Sequence, residues 1–163
     1  MRSWILIIAL LLVGTTSVAQ ETSSSSFRPP FPVGVRLGYT SWDDFGQVHF
    51  GAHAKLGDLF PNVQLVPVVE MGFGDDLTLV TLAGDLSYRF TELFTYPWEL
   101  YGGGSLALNH IKPGDLDADW QLGLSGLVGI NKALGNGDEL MLEARLGLLD
   151  SPDFKLTFGY TFF

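Results

Sequence analysis

Cysteine is absent from the 163-residue chain. That removes any disulfide framework and any thiolate metal site, so the fold has to close on itself by other means. Histidine is limited to His49, His53 and His110. Bases are few as well: 9 Lys and Arg stand against 18 Asp and Glu, a formal charge of −9. A chain this negative offers no basic patch for nucleic acid. Charged residues together make up only 17%, little for a disordered chain, which depends on charge to stay solvated. The apolar stretch Trp4–Val13 has ten residues, short of the roughly 20 that a membrane-spanning helix needs.

What is present favours strands and tight turns. Glycine contributes 20 residues and aromatics 13% of the chain, a mixture poor for helices. Met1-Arg2-Ser3 is a short positive segment ahead of the apolar stretch. Gly14 to Ala19 is small and polar, with Ser17 and Ala19 at −3 and −1 of a cut before Gln20. Residues 1–19 therefore read as a cleaved signal peptide. No cysteine follows the cut, which closes the lipoprotein route. Residues 20–32, with Ser23 to Ser26 and Arg28-Pro29-Pro30, read as a flexible leader, and residues 33–163 as one domain. Loss of Arg2 takes the charge from −9 to −10.

From residue 33 onward, apolar and polar residues alternate with period two, interrupted by turn signals. Eight such segments are legible: 33–40, 47–56, 63–73, 80–90, 98–109, 120–131, 139–148 and 154–163. In the second, Val48, Phe50, Ala52, Ala54 and Leu56 oppose Gln47, His49, Gly51, His53 and Lys55. In the seventh, Leu140, Leu142, Ala144, Leu146 and Leu148 oppose Glu139, Met141, Glu143, Arg145 and Gly147. No apolar-face position carries a charge. The other face carries Arg36, Lys55, Arg89, Arg145 and Lys155 against Glu70, Asp85, Glu99, Glu139 and Glu143. Segments of about ten residues suit tilted transmembrane strands.

Alternation does not say which face points outward. A soluble lipocalin-like barrel would turn the apolar face in. Three features favour the inverse. Aromatics gather near the ends of the apolar face: Tyr39, Phe73, Trp120 and Phe154 at one rim, and Tyr88, Phe90, Trp98, Tyr160 and Phe162 at the other. This is the pattern of two interfacial girdles. The polar face is rich in small residues, which suits a narrow interior. Its charges balance, as a buried ion-pair network requires. The expected fold is all-β: an eight-stranded antiparallel up-and-down transmembrane β-barrel, closed because lipid tolerates no unpaired edge. Pro67, which cannot donate to a ladder, predicts a bulge or displaced register in the third segment.

Three stretches carry a family resemblance: the signal peptide, Pro97-Trp98-Glu99-Leu100-Tyr101-Gly102-Gly103-Gly104, and the terminal Phe158-Gly159-Tyr160-Thr161-Phe162-Phe163. With them the chain resembles the small eight-stranded outer-membrane β-barrels, the OmpA-like and OmpX-like β-barrel domains. The resemblance implies the bacterial outer membrane, with membrane lipids and the barrel-assembly machinery as partners and both termini in the periplasm. In that family a terminal aromatic on an alternating strand is read by the assembly machinery; here the alternating set ends at Phe162, one position before the terminal Phe163. The outward loops would be Ser41 to Gly46, Gly74 to Leu77, His110 to Asp119 and Asp150 to Pro152. The inward turns would be Gly57 to Asn62, Thr91 to Pro97 and Lys132 to Asp138.

Because the strand charges cancel, the acidity lies in the connections. Asp43, Asp44, Asp75, Asp76, Asp115, Asp117, Asp119, Asp150 and Asp153 all fall at or near the outward rim. They read as turn formers and solubilising charges, with gathering of divalent cations as the sharper alternative. Asp115-Leu116-Asp117-Ala118-Asp119 begins like a calcium loop, but Trp120 stands where glycine is needed and Gly126 where glutamate is needed.

No catalytic, cofactor-binding or metal site emerges. His49 and His53, four apart on one strand, both face inward about 13 Å apart, too far for one metal. They read as members of the interior polar network. His110 falls in a loop, and no His-x-Ser pattern of the barrel deacylase type occurs. The expectation is a non-enzymatic outer-membrane barrel with a structural or interaction role and narrow or no conductance. The alternatives are a small porin-like channel, a lipid-modifying barrel enzyme and a soluble lipocalin-like binding barrel. The small inward residues Gly34, Gly51, Gly103, Gly123 and Gly129 leave room for water-filled cavities inside.

Overall fold

A computed structural model of the chain describes residues 31–42, 45–74, 77–113 and 117–163. The expected signal peptide, nearly all of the leader, and Asp43, Asp44, Asp75, Asp76 and Asp115 lie outside the described residues. Among the described residues, nine strands run in chain order. They are β1 (Val33–Trp42), β2 (Phe45–Ala54), β3 (Asp58–Phe60), β4 (Val63–Gly74), β5 (Leu77–Arg89), β6 (Trp98–Pro113), β7 (Asp119–Ala133), β8 (Glu139–Leu149) and β9 (Phe154–Phe162). β3 is a short ribbon within the β2–β4 connection. The other eight pair antiparallel with their neighbours. β1 joins both β2 and β9, and β2 joins β4, so the sheet closes into an eight-stranded barrel. Closure leaves the eight-strand cylinder without an open seam along its length, which the apolar exterior requires.

The facing follows the sequence parity. Val35, Leu37, Val48, Phe50, Leu106 and Phe158 are exposed on the outside, while Arg36, Glu70, Asp85, Glu143, Arg145 and Lys155 are buried inside. Both rims of the exterior carry exposed aromatics, Tyr39, Phe73, Trp120 and Phe154 at one end and Tyr88, Trp98 and Phe162 at the other. Val33 pairs with Phe162, so both ends of the barrel chain lie at the same end, called here the terminal end. Two of its turns are short, at residues 61–62 and 134–138. Asn62, at φ 63°, and Gly137, at φ 94°, supply their left-handed residues, the conformation that suits Asn and Gly.

Two sequence expectations are corrected. No bulge occurs at Pro67: β4 and β5 stay in register through Pro67↔Gly84. The β2–β4 ladder ends at His53↔Val68, one residue earlier, so the proline lies just beyond that ladder. Among the eight barrel strands a register shift falls instead between β7 and β8, where Leu124 pairs with Leu149 but Ser125 pairs with Gly147, leaving Leu148 extra; a further irregularity lies in the short β3–β4 pairing, between Asp58 and Phe60. The far-end loops are also shorter than the turn signals suggest. Ser41 and Trp42 continue β1, and β6 runs on to Pro113, so His110 lies in a strand and not in a loop. It pairs with Trp120 across β6 and β7, and the two rings pack 4.5 Å apart. That cross-strand contact holds the hairpin in ladder geometry past the point where the alternation fades.

Candidate functional site

The barrel axis is filled by an ion-pair set at mid-height. Arg145 makes a forked contact with Asp85, at 3.1 and 2.7 Å, and reaches Ser105 Oγ at 2.9 Å and Glu143 at 2.8 Å. Arg36 donates to the same Glu143 oxygen at 2.8 Å and stands 3.5 Å from Glu70 and 3.7 Å from Asp85. The second Glu143 oxygen accepts from the Tyr101 hydroxyl at 2.9 Å. Lys155 is bonded to Glu70. Six charged side chains from five strands thus meet in one layer, three of each sign. Charges this deep are stable only when opposed and hydrogen-bonded, which the balanced composition of the inward face allows.

Polar layers continue above and below. Towards the far end, His49 bridges Thr40 Oγ1 at 2.7 Å and Thr157 Oγ1 at 3.0 Å, while Thr81 donates to Asn109 at 2.9 Å. Towards the terminal end, His53 meets Thr161 at 2.9 Å, Lys55 pairs with Glu139, and Arg89 pairs with Asp58 and, at 3.9 Å, with Glu99. Every base assigned to the interior by parity has an acidic partner. Asp58, placed by the sequence in a turn, is the partner that parity missed. His49 and His53 both face inward and hold hydroxyls.

The inward glycines are where larger groups lie down rather than where water collects. The imidazole of His53 covers Gly34, and that of His49 covers Gly38. The Tyr101 ring covers Gly129, its cross-strand partner, and Glu70 lies against Gly51. The expected water-filled cavities shrink accordingly. A cavity of about 20 Å³ remains below the ion-pair layer, among Arg36, His53, Tyr101 and Glu143. That is space for about one water. Among the described residues no three His, Asp or Glu side chains are grouped to hold a metal.

At the far end the β8–β9 connection leans into the barrel. Pro152 is buried, the Asp150 carbonyl accepts from Asn109 Nδ2 at 3.0 Å, and the Ser151 side chain lies over Gly123. Sequence reasoning read Asp150 to Pro152 as a plain outward loop. The extra residue Leu148 bends β8 and turns this hairpin inward, and no local motif announces it. Above it the mouth opens into a cup of about 520 Å³.

No family model matches the chain, and no curated protein does. Solved structures do. The neisserial surface protein NspA superposes with a TM-score of 0.64 at 15% identity, over 80% of this chain and 94% of that one. The N-terminal β-barrel domain of Pseudomonas aeruginosa OprF gives 0.55 at 16% identity, over 80% and 97%. The fold is that of the small outer-membrane β-barrels. The outer-membrane enzyme PagL shares it, with a TM-score of 0.51 at 11% identity over 80% of this chain and 97% of that one, so the scaffold is compatible with catalysis and does not by itself decide for or against it.

Proposed function

We propose that the chain is a bacterial outer-membrane barrel with a closed lumen, serving a structural or interaction role and not solute passage. The observation that carries this reading is the mid-height layer of Arg36, Glu70, Asp85, Glu143, Arg145 and Lys155, all buried and mutually paired. A solute crossing this layer would have to strip paired charges from one another inside a low-dielectric wall. The apolar exterior with aromatics at both rims suits residence in a bilayer. Membrane lipids are then its immediate partners. Residues 1–19 direct export and are removed. β9, ending at Phe162, together with the following Phe163, is the segment offered to the barrel-assembly machinery. No catalytic, cofactor or metal role forms part of this reading.

Planar-bilayer recording on refolded protein tests it. Silence at physiological salt is the expected result. A steady ohmic conductance carried by the wild-type chain would overturn the closed-lumen reading in favour of a small porin-like channel.

A further inference from the structure

Above the seal, the far-end cup has walls that the lumen network does not use. Trp42 and Phe45 form a cross-strand pair at the tips of β1 and β2. Both have inward parity, as does Ile111 of β6, so these side chains stand in the mouth and not on the lipid face. Leu149 completes the apolar wall, and Asp150 and Asp153 stand on the β8–β9 side. No Lys, Arg or His lines the cup among the described residues. Below it, Asn109 and Gln47 are buried at 0% and 1% exposure, so the cup is a blind recess. Its volume of about 520 Å³ falls in the range that small-molecule sites occupy, roughly 300–1,000 Å³.

The lining selects among ligand charges. Aromatic faces carry negative potential and attract cations. A carboxylate beside them adds to that attraction. An anion entering the cup would meet the Asp150 carboxylate with no Lys, Arg or His among the described lining residues, and a neutral apolar body would desolvate Asp150 without compensation. We propose that the outer cup binds organic cations: an ammonium group on an aromatic or short aliphatic body. This site is additional to the closed-lumen role, and it does not depend on whether the barrel conducts.

Calorimetric titration of the full-length mature barrel in decyl maltoside, whose headgroup is uncharged, tests this with benzyltrimethylammonium as probe. Phenylmethanesulfonate, which presents the same ring with opposite charge, is the comparison. Saturable binding of the cation alone is expected. Trp42→Leu and Asp150→Asn are each expected to weaken it by about fivefold or more. Asparagine tolerates the positive φ of 39° at position 150, so that variant keeps the hairpin. Heat-dependent gel mobility reports folding of each variant, and bilayer recording on the same samples reports the lumen separately. Three outcomes would each overturn the assignment: no saturable heat with the cation, equal binding of the sulfonate, or wild-type affinity in the folded Asp150→Asn variant.

Discussion

Replacing Glu143 by methionine keeps the length of the side chain and removes its charge from the centre of the barrel. Arg36 loses its 2.8 Å partner, Arg145 loses one of its two acids, and the Tyr101 hydroxyl loses its acceptor. The layer is left with three cations against Glu70 and Asp85. Removing one member of a buried pair costs about 3–5 kcal/mol, because the surviving charge stays buried. With a urea dependence of about 2 kcal/mol per molar, the unfolding midpoint should fall by roughly 2 M. Urea titration of barrels folded into lipid vesicles, read by the heat-dependent gel shift, measures it. Arg36→Met combined with Glu143→Met restores the balance at two charges of each sign. The double variant should therefore be more stable than Glu143→Met alone, since a matched pair replaced by apolar side chains is often neutral. A midpoint shift below about 0.5 M for the single variant (about 1 kcal/mol), or additive loss in the double, would refute the reasoning.

Other perturbations have separate readouts. Leu106 is 56% exposed on the outer wall between the aromatic rims. Leu106→Arg should cost about 2–4 kcal/mol of folding into a bilayer, and Leu122→Arg, two residues from the rim aromatic Trp120, should cost less; vesicle unfolding titrations compare them, and equal costs would argue against a lipid-facing wall. Tyr101→Phe keeps the ring over Gly129 but drops the bond to Glu143, so it should lose about 1.5–3 kcal/mol, while Tyr101→Ala should lose about 3–5 kcal/mol. Asp138 accepts from the Tyr160 hydroxyl and, at 3.2 Å, from the Phe163 N–H. Asp138→Ala should loosen the terminal residue, seen as faster amide exchange at Phe163 and a stability loss of about 1–2 kcal/mol.

Much of the wall was legible in the chain because a strand has a period of two. One residue of slip exchanges the faces, so a run such as Leu140, Leu142, Ala144, Leu146 fixes the orientation of its neighbours Glu143 and Arg145. Balanced inward charge foretold an ion-pair layer. Its wiring was not legible, because partners such as Arg36 and Glu143 are 107 positions apart and meet only through the register of the closed sheet. Tyr101 shows the same limit. Its inward parity was plain, but its place over Gly129 depends on the β6–β7 pairing. The far-end connections were misjudged for a different reason. Turn-forming residues around His110 and Pro113 look like loop, while the ladder contact between His110 and Trp120 carries the strand onward. The inward lean of Asp150 to Pro152 arises from one extra residue in β8, a tertiary register effect with no composition signature.

The orientation of the two faces underlies everything above, and fractionation tests it most directly. Cells expressing the full chain are separated into soluble, inner-membrane and outer-membrane fractions, and each is run on gels with and without boiling. A heat-dependent mobility shift confined to the outer-membrane fraction is the expected result. Recovery in the soluble fraction without a shift would contradict the account and turn the apolar face inward, as in a lipocalin-like barrel.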